Sequence, residues 1–211
     1  RKRNIISIID GAHVPGHIKL SIKDINPDIY VGACHKWMMS PKGASFLYAK
    51  KEIQSDLLPL VISWGWESES DDFMIKSGIS SFLAHHQWQG TNDISAYLTI
   101  PKVIDFIEKY NWESVSDNCK DINMHSREKL LQLFDTVSLC ESSDDWIGQM
   151  SSIVIPDCDT DDFYKFLKSK NIEVPVMDWN GYKILRFSIQ AYNSDEDIKQ
   201  LIKFIKEYFK S

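Results

Sequence analysis

The stretch Asp28-Ile29-Tyr30-Val31-Gly32-Ala33-Cys34-His35-Lys36-Trp37 carries the first decision about this chain. Its opening residues are β-branched and aromatic, which predicts a strand from Asp28 to Gly32. Asn26-Pro27 initiates that strand, and Lys36 follows its end. Upstream, Ile5-Ile6-Ser7-Ile8-Ile9 is a second such run, so residues 4–9 read as a buried strand. That run ends on Asp10, ahead of a loop from Gly11 to Gly16. Two strands that each end in a reactive side chain place an amine and a carboxylate at one edge of a sheet. In open α/β sheets, ligands bind at that edge. Beyond Lys36, Pro41-Lys42-Gly43 reverses the chain into an alternating strand, Ala44 to Ala49. So short a reversal joins antiparallel neighbours, because a parallel crossover needs about a dozen residues or more.

An amine and an acid held together suit pyridoxal 5'-phosphate. The lysine can form an imine, and the acid can pair with the pyridinium nitrogen. Three later stretches bear on this: Trp88-Gln89-Gly90-Thr91-Asn92-Asp93, Val174-Pro175-Val176, and Leu185-Arg186-Phe187-Ser188-Ile189-Gln190-Ala191-Tyr192-Asn193. With Asp10 to Tyr48 they resemble the class V aminotransferases, fold-type-I pyridoxal-phosphate enzymes. His35-Lys36-Trp37 with Pro41-Lys42-Gly43-Ala44 is similar to the isopenicillin N epimerase-like branch. The motifs are weak singly and specific in combination, and the resemblance runs over nearly the whole chain. It implies an α/β fold, the C-terminal portion of a fold-type-I transferase. Late strands of the large-domain sheet would be followed by a small α+β C-terminal domain. Residues 1–109 would be the remainder of the large cofactor-binding domain, with a connecting helix at about 93–109, and residues 110–211 the small domain. The chain would then be the C-terminal part of a longer enzyme, inactive by itself.

The resemblance also implies roles. Lys36 would carry the cofactor and take the substrate's Cα proton, with Ala33, Cys34, Trp37 and Met38 desolvating it. Asp10 would hold the pyridine nitrogen protonated. His13 would hydrogen-bond the cofactor's phenolic oxygen or the imine, and His35 its phosphate. Ala33 departs from the family pattern, which often has a hydroxyl or amide there, so one phosphate contact must come from elsewhere. Gly90 and Thr91 would reach the phosphate held by a neighbouring subunit, which implies a homodimer with shared active sites. Arg186 would clamp the substrate α-carboxylate through two parallel hydrogen bonds; a structural ion pair is its plainer reading. His17 reads as structural. Asp10, His13 and His17 do not read as a metal set, since Pro15-Gly16 denies the histidines a shared helical face and no third histidine sits at zinc spacing.

Among 211 residues, 43% are hydrophobic and 26% charged, ordinary values for a globular protein, and the net charge of −6 argues against a nucleic-acid surface. No apolar run approaches the roughly 18 residues of a membrane span. Four widely spaced cysteines, with no C-x-x-C pair, favour reduced thiols and a cytoplasmic setting. Residues 63–92, rich in Trp, Gly, Ser and His, read as active-site or interface loops. Asp93 should cap a helix to about Tyr110, kinked or split at Pro101. Its apolar stripe would be Ile94, Tyr97, Leu98, Pro101, Ile104 and Ile107. Helices from Ser116 to about Phe134, from Asp161 to Ser169 capped by Thr160, and after Ser194 alternate with strands Met150 to Ile155 and Lys183 to Ile189. Ile198, Leu201, Ile202, Ile205 and Phe209 mark the last helix's buried face.

The function expected is therefore a pyridoxal-phosphate enzyme acting at the α-carbon of an amino acid. Epimerisation, C–S lysis and transamination share these residues. Cysteine desulfurases carry a mobile-loop cysteine shortly before the carboxylate-binding arginine, and Ile172 to Leu185 contains none. A C–S lyase of the same family is the alternative. A truncated, non-catalytic partner is the rival of another class.

Overall fold

The computed structural model describes residues 3, 5–66 and 78–210. Residue 4 of the first predicted strand and residues 67–77 of the predicted loop region lie outside the described residues. The chain divides into two compact units, Arg1–Ile107 and Glu108–Ser211. Among the described residues, no helix is long and apolar enough to cross a membrane.

The first unit is built on a three-stranded sheet in the order β1 (Ile8–Asp10), β2 (Ile29–Ala33), β3 (Ser45–Ala49). β1 and β2 are parallel, with Asp10 opposite Val31, whereas β2 and β3 are antiparallel. The sheet's register is pinned at the end remote from Asp10. There the Asp28 carboxylate accepts hydrogen bonds from Ser7 N and Oγ, each at 2.9 Å, and pairs with Lys50 at 3.0 Å. Between β1 and β2 the chain makes one short helix, α1 (Ile22–Ile25). Ser21 caps its start, and Asn26 closes it at φ 52°, a left-handed value that asparagine tolerates.

The run before Asp10 is not buried as expected. Only Ile8–Asp10 is strand, and Ile5, Ile6 and Ile8 are exposed. β1 is an edge strand paired on one side alone, so apolar composition could predict the strand but not its cover. Residues 63–92 are not all loop either: Ser80 caps a helix, α2 (Ser81–Gln87). The helix expected at about 93–109 is two helices, α3 (Ser95–Leu98) and α4 (Ile100–Lys109). Pro101 falls in the first turn of α4, where its missing N–H costs nothing, so the break comes just ahead of it. The expected apolar stripe is largely uncovered, with Ile94, Leu98 and Ile104 exposed.

The second unit holds α5 (Trp112–Phe134), β4 (Met150–Ile155), α6 (Thr160–Ser169), β5 (Val176–Trp179), β6 (Tyr182–Ser188) and α7 (Asp195–Tyr208). Its sheet runs β4-β6-β5, antiparallel throughout. The core joins Ile153, Leu185 and Phe187 of the sheet to Leu130, Phe163, Leu167, Leu201 and Ile205 of the helices. Each such side chain contributes about 1.5–3 kcal/mol by leaving water. Asp159, not Thr160, caps α6, accepting from Asp162 N at 2.9 Å. Ser194 caps α7 in a reciprocal box with Asp197.

Candidate active site

Parallel pairing makes β1 and β2 leave the sheet at the same edge. Asp10 stands at the end of β1, and the turn Cys34-His35-Lys36-Trp37 follows β2. Gly11 N donates to Val31 O at 2.9 Å, which extends the pairing one residue past the strand. Ala12 N donates to Asp10 Oδ1 at 3.0 Å, so one carboxylate oxygen holds the loop that Asp10 opens. The buried Tyr30 hydroxyl lies close to this loop, 3.4 Å from Gly11 O. Burial raises the Tyr30 phenol above its ordinary range, and the Asp10 carboxylate adds to that.

The Lys36 turn is closed by backbone bonds. Cys34 N donates to Ala44 O and Ser40 N to Cys34 O, both at 3.0 Å, and Met39 N donates to Lys36 O at 3.1 Å. Met39 takes φ 66°, a left-handed value that costs a side-chain-bearing residue about 1–3 kcal/mol. Cys34 and Trp37 point inward and are buried, which leaves Lys36 exposed. The desolvation of Lys36 expected from its neighbours is not seen among the described residues: Ala33, Cys34 and Trp37 are themselves buried, while Lys36 is exposed. Among the described residues, no carboxylate or carbonyl holds the Lys36 amine. Burial pushes the Cys34 thiol up, which keeps it protonated and unreactive.

The histidines sort by their partners. His35 donates from Nδ1 to Ala44 O at 3.0 Å, since a carbonyl can only accept, and this fixes the ring beside Lys36. His13 Nδ1 accepts from Trp37 Nε1 at 3.1 Å. His17 stacks on Trp37, ring centroids 4.2 Å apart, and donates from Nδ1 to His13 O at 3.1 Å. Burial lowers the His17 pKa below 6.5. Asp10, His13, His35 and Lys36 therefore belong to two loops joined by Trp37. The sequence reading named Trp37 as a motif residue and an apolar neighbour, and gave it no contact with His13. Its bond to His13 spans 24 residues and left no signal in composition or spacing.

Gly90, at φ 87°, and Thr91 lie in an exposed loop after α2, tied to the preceding turn through Gly65 N and Trp88 O at 3.1 Å. No described contact brings them to Lys36. Arg186 belongs to the second unit, half-buried on β6 opposite Ser152 of β4. Leu185 and Phe187 are buried beside it. No ion pair reaches its guanidinium among the described residues. Nor, among those residues, do three or more His, Cys, Asp or Glu side chains gather as a metal site, and the four cysteines are free.

Comparison with known proteins gives one consistent answer. The family model described as aminotransferase class-V matches residues 1–201. Isopenicillin N epimerase of Amycolatopsis lactamdurans is 27% identical over 215 residues, covering 100% of this chain and 54% of that protein. A putative L-cysteine desulfhydrase 1 of Oryza sativa subsp. japonica is 25% identical, covering 92% of this chain and 43% of its own length. In fold, the chain is similar to the cysteine desulfurase CsdA of Escherichia coli, with a TM-score of 0.79 at 15% identity over 99% of this chain and 53% of that one. The chain spans about half the length of the curated relatives it matches. On a match that spans nearly all of its residues, this chain belongs to the aminotransferase class-V family.

Proposed function

We propose that this chain forms part of a pyridoxal-phosphate enzyme acting at the α-carbon of an amino acid, in the manner of an isopenicillin N epimerase. The observation that carries the reading is the shared exit of β1 and β2. It sets a carboxylate at one strand end and, in the turn after the other, an exposed amine with no partner among the described residues. The residues fit the group: Asp10 keeps one carboxylate oxygen beyond its bond to Ala12, and His35 keeps Nε2 beyond its bond to Ala44. Bound there, the cofactor supplies an aldehyde carbon for amines and a protonated ring that draws electrons from the substrate α-carbon.

The chain's own residues do the rest. Lys36 would hold the cofactor, and its amine would take the Cα proton. Asp10 accepts the ring N–H and keeps that proton in place through a charge-assisted bond. His35 donates to phosphate oxygens, and His13 to the phenolic oxygen. Gly90 and Thr91 serve the phosphate of a neighbouring copy, so the working enzyme is a homodimer. Arg186 takes the substrate carboxylate in a two-bond fork. Residues 1–109 and 110–211 act as the cofactor and small domains, and the setting is cytoplasmic. Turnover is proposed for the full-length enzyme, because these 211 residues span about half of its relatives.

C–S lysis is the second reading, favoured by the desulfhydrase relative. A panel of amino acids separates the two: inversion of configuration supports the first, sulfide release the second. The cofactor itself is tested by borohydride reduction and peptide mapping of the full-length enzyme. The cofactor's mass should appear on Lys36 and vanish in Lys36→Ala, while Asp10→Asn keeps the label and slows proton abstraction by about two decades or more. A label on another lysine, or none, overturns the reading. Sedimentation of a fully active monomer would rule out the shared-site dimer.

A further inference from the structure

Trp37 follows Lys36 directly, yet the reaction above gives it no task. It is buried, and it makes two directed contacts with the loop that Asp10 opens. Its Nε1 donates to His13 Nδ1 at 3.1 Å, and its ring lies against His17 with planes 19° apart. His17 in turn donates to the His13 carbonyl at 3.1 Å. Gly16 brings the two loops into backbone contact: at φ +78° it leaves no room for a Cβ, which would lie 2.6 Å from Met38 N and Cα and from Trp37 O. His13 is thereby held twice, its main chain through His17 and its ring through Trp37.

An indole N–H donates and never accepts. The imidazole nitrogen that receives it carries no proton, so in the neutral ring the proton sits on Nε2. We propose that Trp37 is a positioning residue that holds His13 in its Nε2–H tautomer, so that His13 offers the cofactor's phenolic oxygen a donor. This rests on the cofactor reading above. The opposite tautomer would turn a lone pair toward an electron-rich oxygen and repel it. Trp37 touches neither cofactor nor substrate in this scheme; it acts through His13 alone.

The test is a two-bond proton–nitrogen spectrum of the histidine rings, taken on the 211-residue chain labelled with nitrogen-15 and repeated on the full-length enzyme. His13→Gln assigns the His13 signals. The expected result is an unprotonated Nδ1 and a protonated Nε2 for His13. Trp37→Phe keeps a ring against His17 and removes only the donor, so His13 should pass to a mixture of tautomers with the far-ultraviolet circular dichroism unchanged. An Nδ1–H signal in the unaltered protein overturns the proposal, and that measurement stands even if Trp37→Phe does not fold. A folded Trp37→Phe protein with an unchanged His13 spectrum overturns it too. The cofactor reading fails separately: borohydride would then leave no label on Lys36 while the His13 tautomer stayed as stated.

Discussion

Gly16 shows how a residue without a side chain can fix one with chemistry. Alanine there must adopt a left-handed backbone, at about 1–3 kcal/mol, and also push apart the chain at Trp37 and Met38. Gly16→Ala should therefore lower the urea midpoint of the protein and weaken cofactor labelling at Lys36; unchanged labelling would mean the two loops are not coupled. His17 makes a second prediction, on pH. Burial against Trp37 lowers its folded pKa below the unfolded 6.5, so the unfolded chain binds more protons as pH falls. Stability is full above that value and is lost as pH drops through the lower, folded pKa. Melting from about pH 7.5 to about pH 5 should show a fall that His17→Phe flattens, and equal slopes in both proteins would refute it. At this scale the sequence was legible in position: Asp10 ends β1, and Lys36 lies in the turn after β2. The reading failed where a contact depended on how two loops fold together. His13 and Trp37 meet across 24 residues, and the exposure of Lys36 follows from its neighbours turning inward.

Helices were read well where polar caps and apolar spacing agree. α7 has both, with an acidic first turn and Ile198, Leu201 and Ile205 buried at one face. Removing its cap tests how much the box contributes. Ser194→Ala should cost about 1 kcal/mol, a loss of about 4–8 °C in the melting of a unit this size. Asp197→Ala should do nearly the same, because the two side chains satisfy each other's backbone N–H; a silent Asp197→Ala would show that the box is not formed. The sequence reading missed β5 and α2 for different reasons. β5 is a four-residue edge strand containing Asp178, which is paired with Lys183 and hydrogen-bonded to Thr160, so its pattern is that of a turn. α2 lies among tryptophans and histidines whose spacing hid its short helix. The run before Asp10 failed differently, in that its strand propensity was real but burial depends on neighbours that propensity does not encode.

Taken as a whole, the chain distributes its core unevenly. The principal cluster of buried apolar side chains, from Cys119 to Ile205, lies within Glu108–Ser211. The same unit contains Arg127, 1% exposed and with no carboxylate partner among the described residues. Its guanidinium donates instead to Ser138 Oγ at 2.6 Å, Ser142 Oγ at 3.0 Å, and the carbonyls of Cys140 and Ser152 at 3.1 Å. It thus ties α5 and the segment after it to β4, at the residue paired with Arg186. Burying a charge is tolerated only when its donors are met, and here neutral acceptors take four of the five guanidinium N–H groups. A core and a buried network that both close within one stretch predict that residues 108–211 fold on their own. Expressed alone, that segment should unfold in a single cooperative step by circular dichroism and intrinsic fluorescence. Arg127→Ala removes these bonds and leaves a gap where the buried side chain stood, and should move the transition to lower denaturant. A segment that is unfolded in water would show that its core depends on residues 1–107. An Arg127→Ala segment as stable as its parent would show that the network contributes nothing to holding the small unit together.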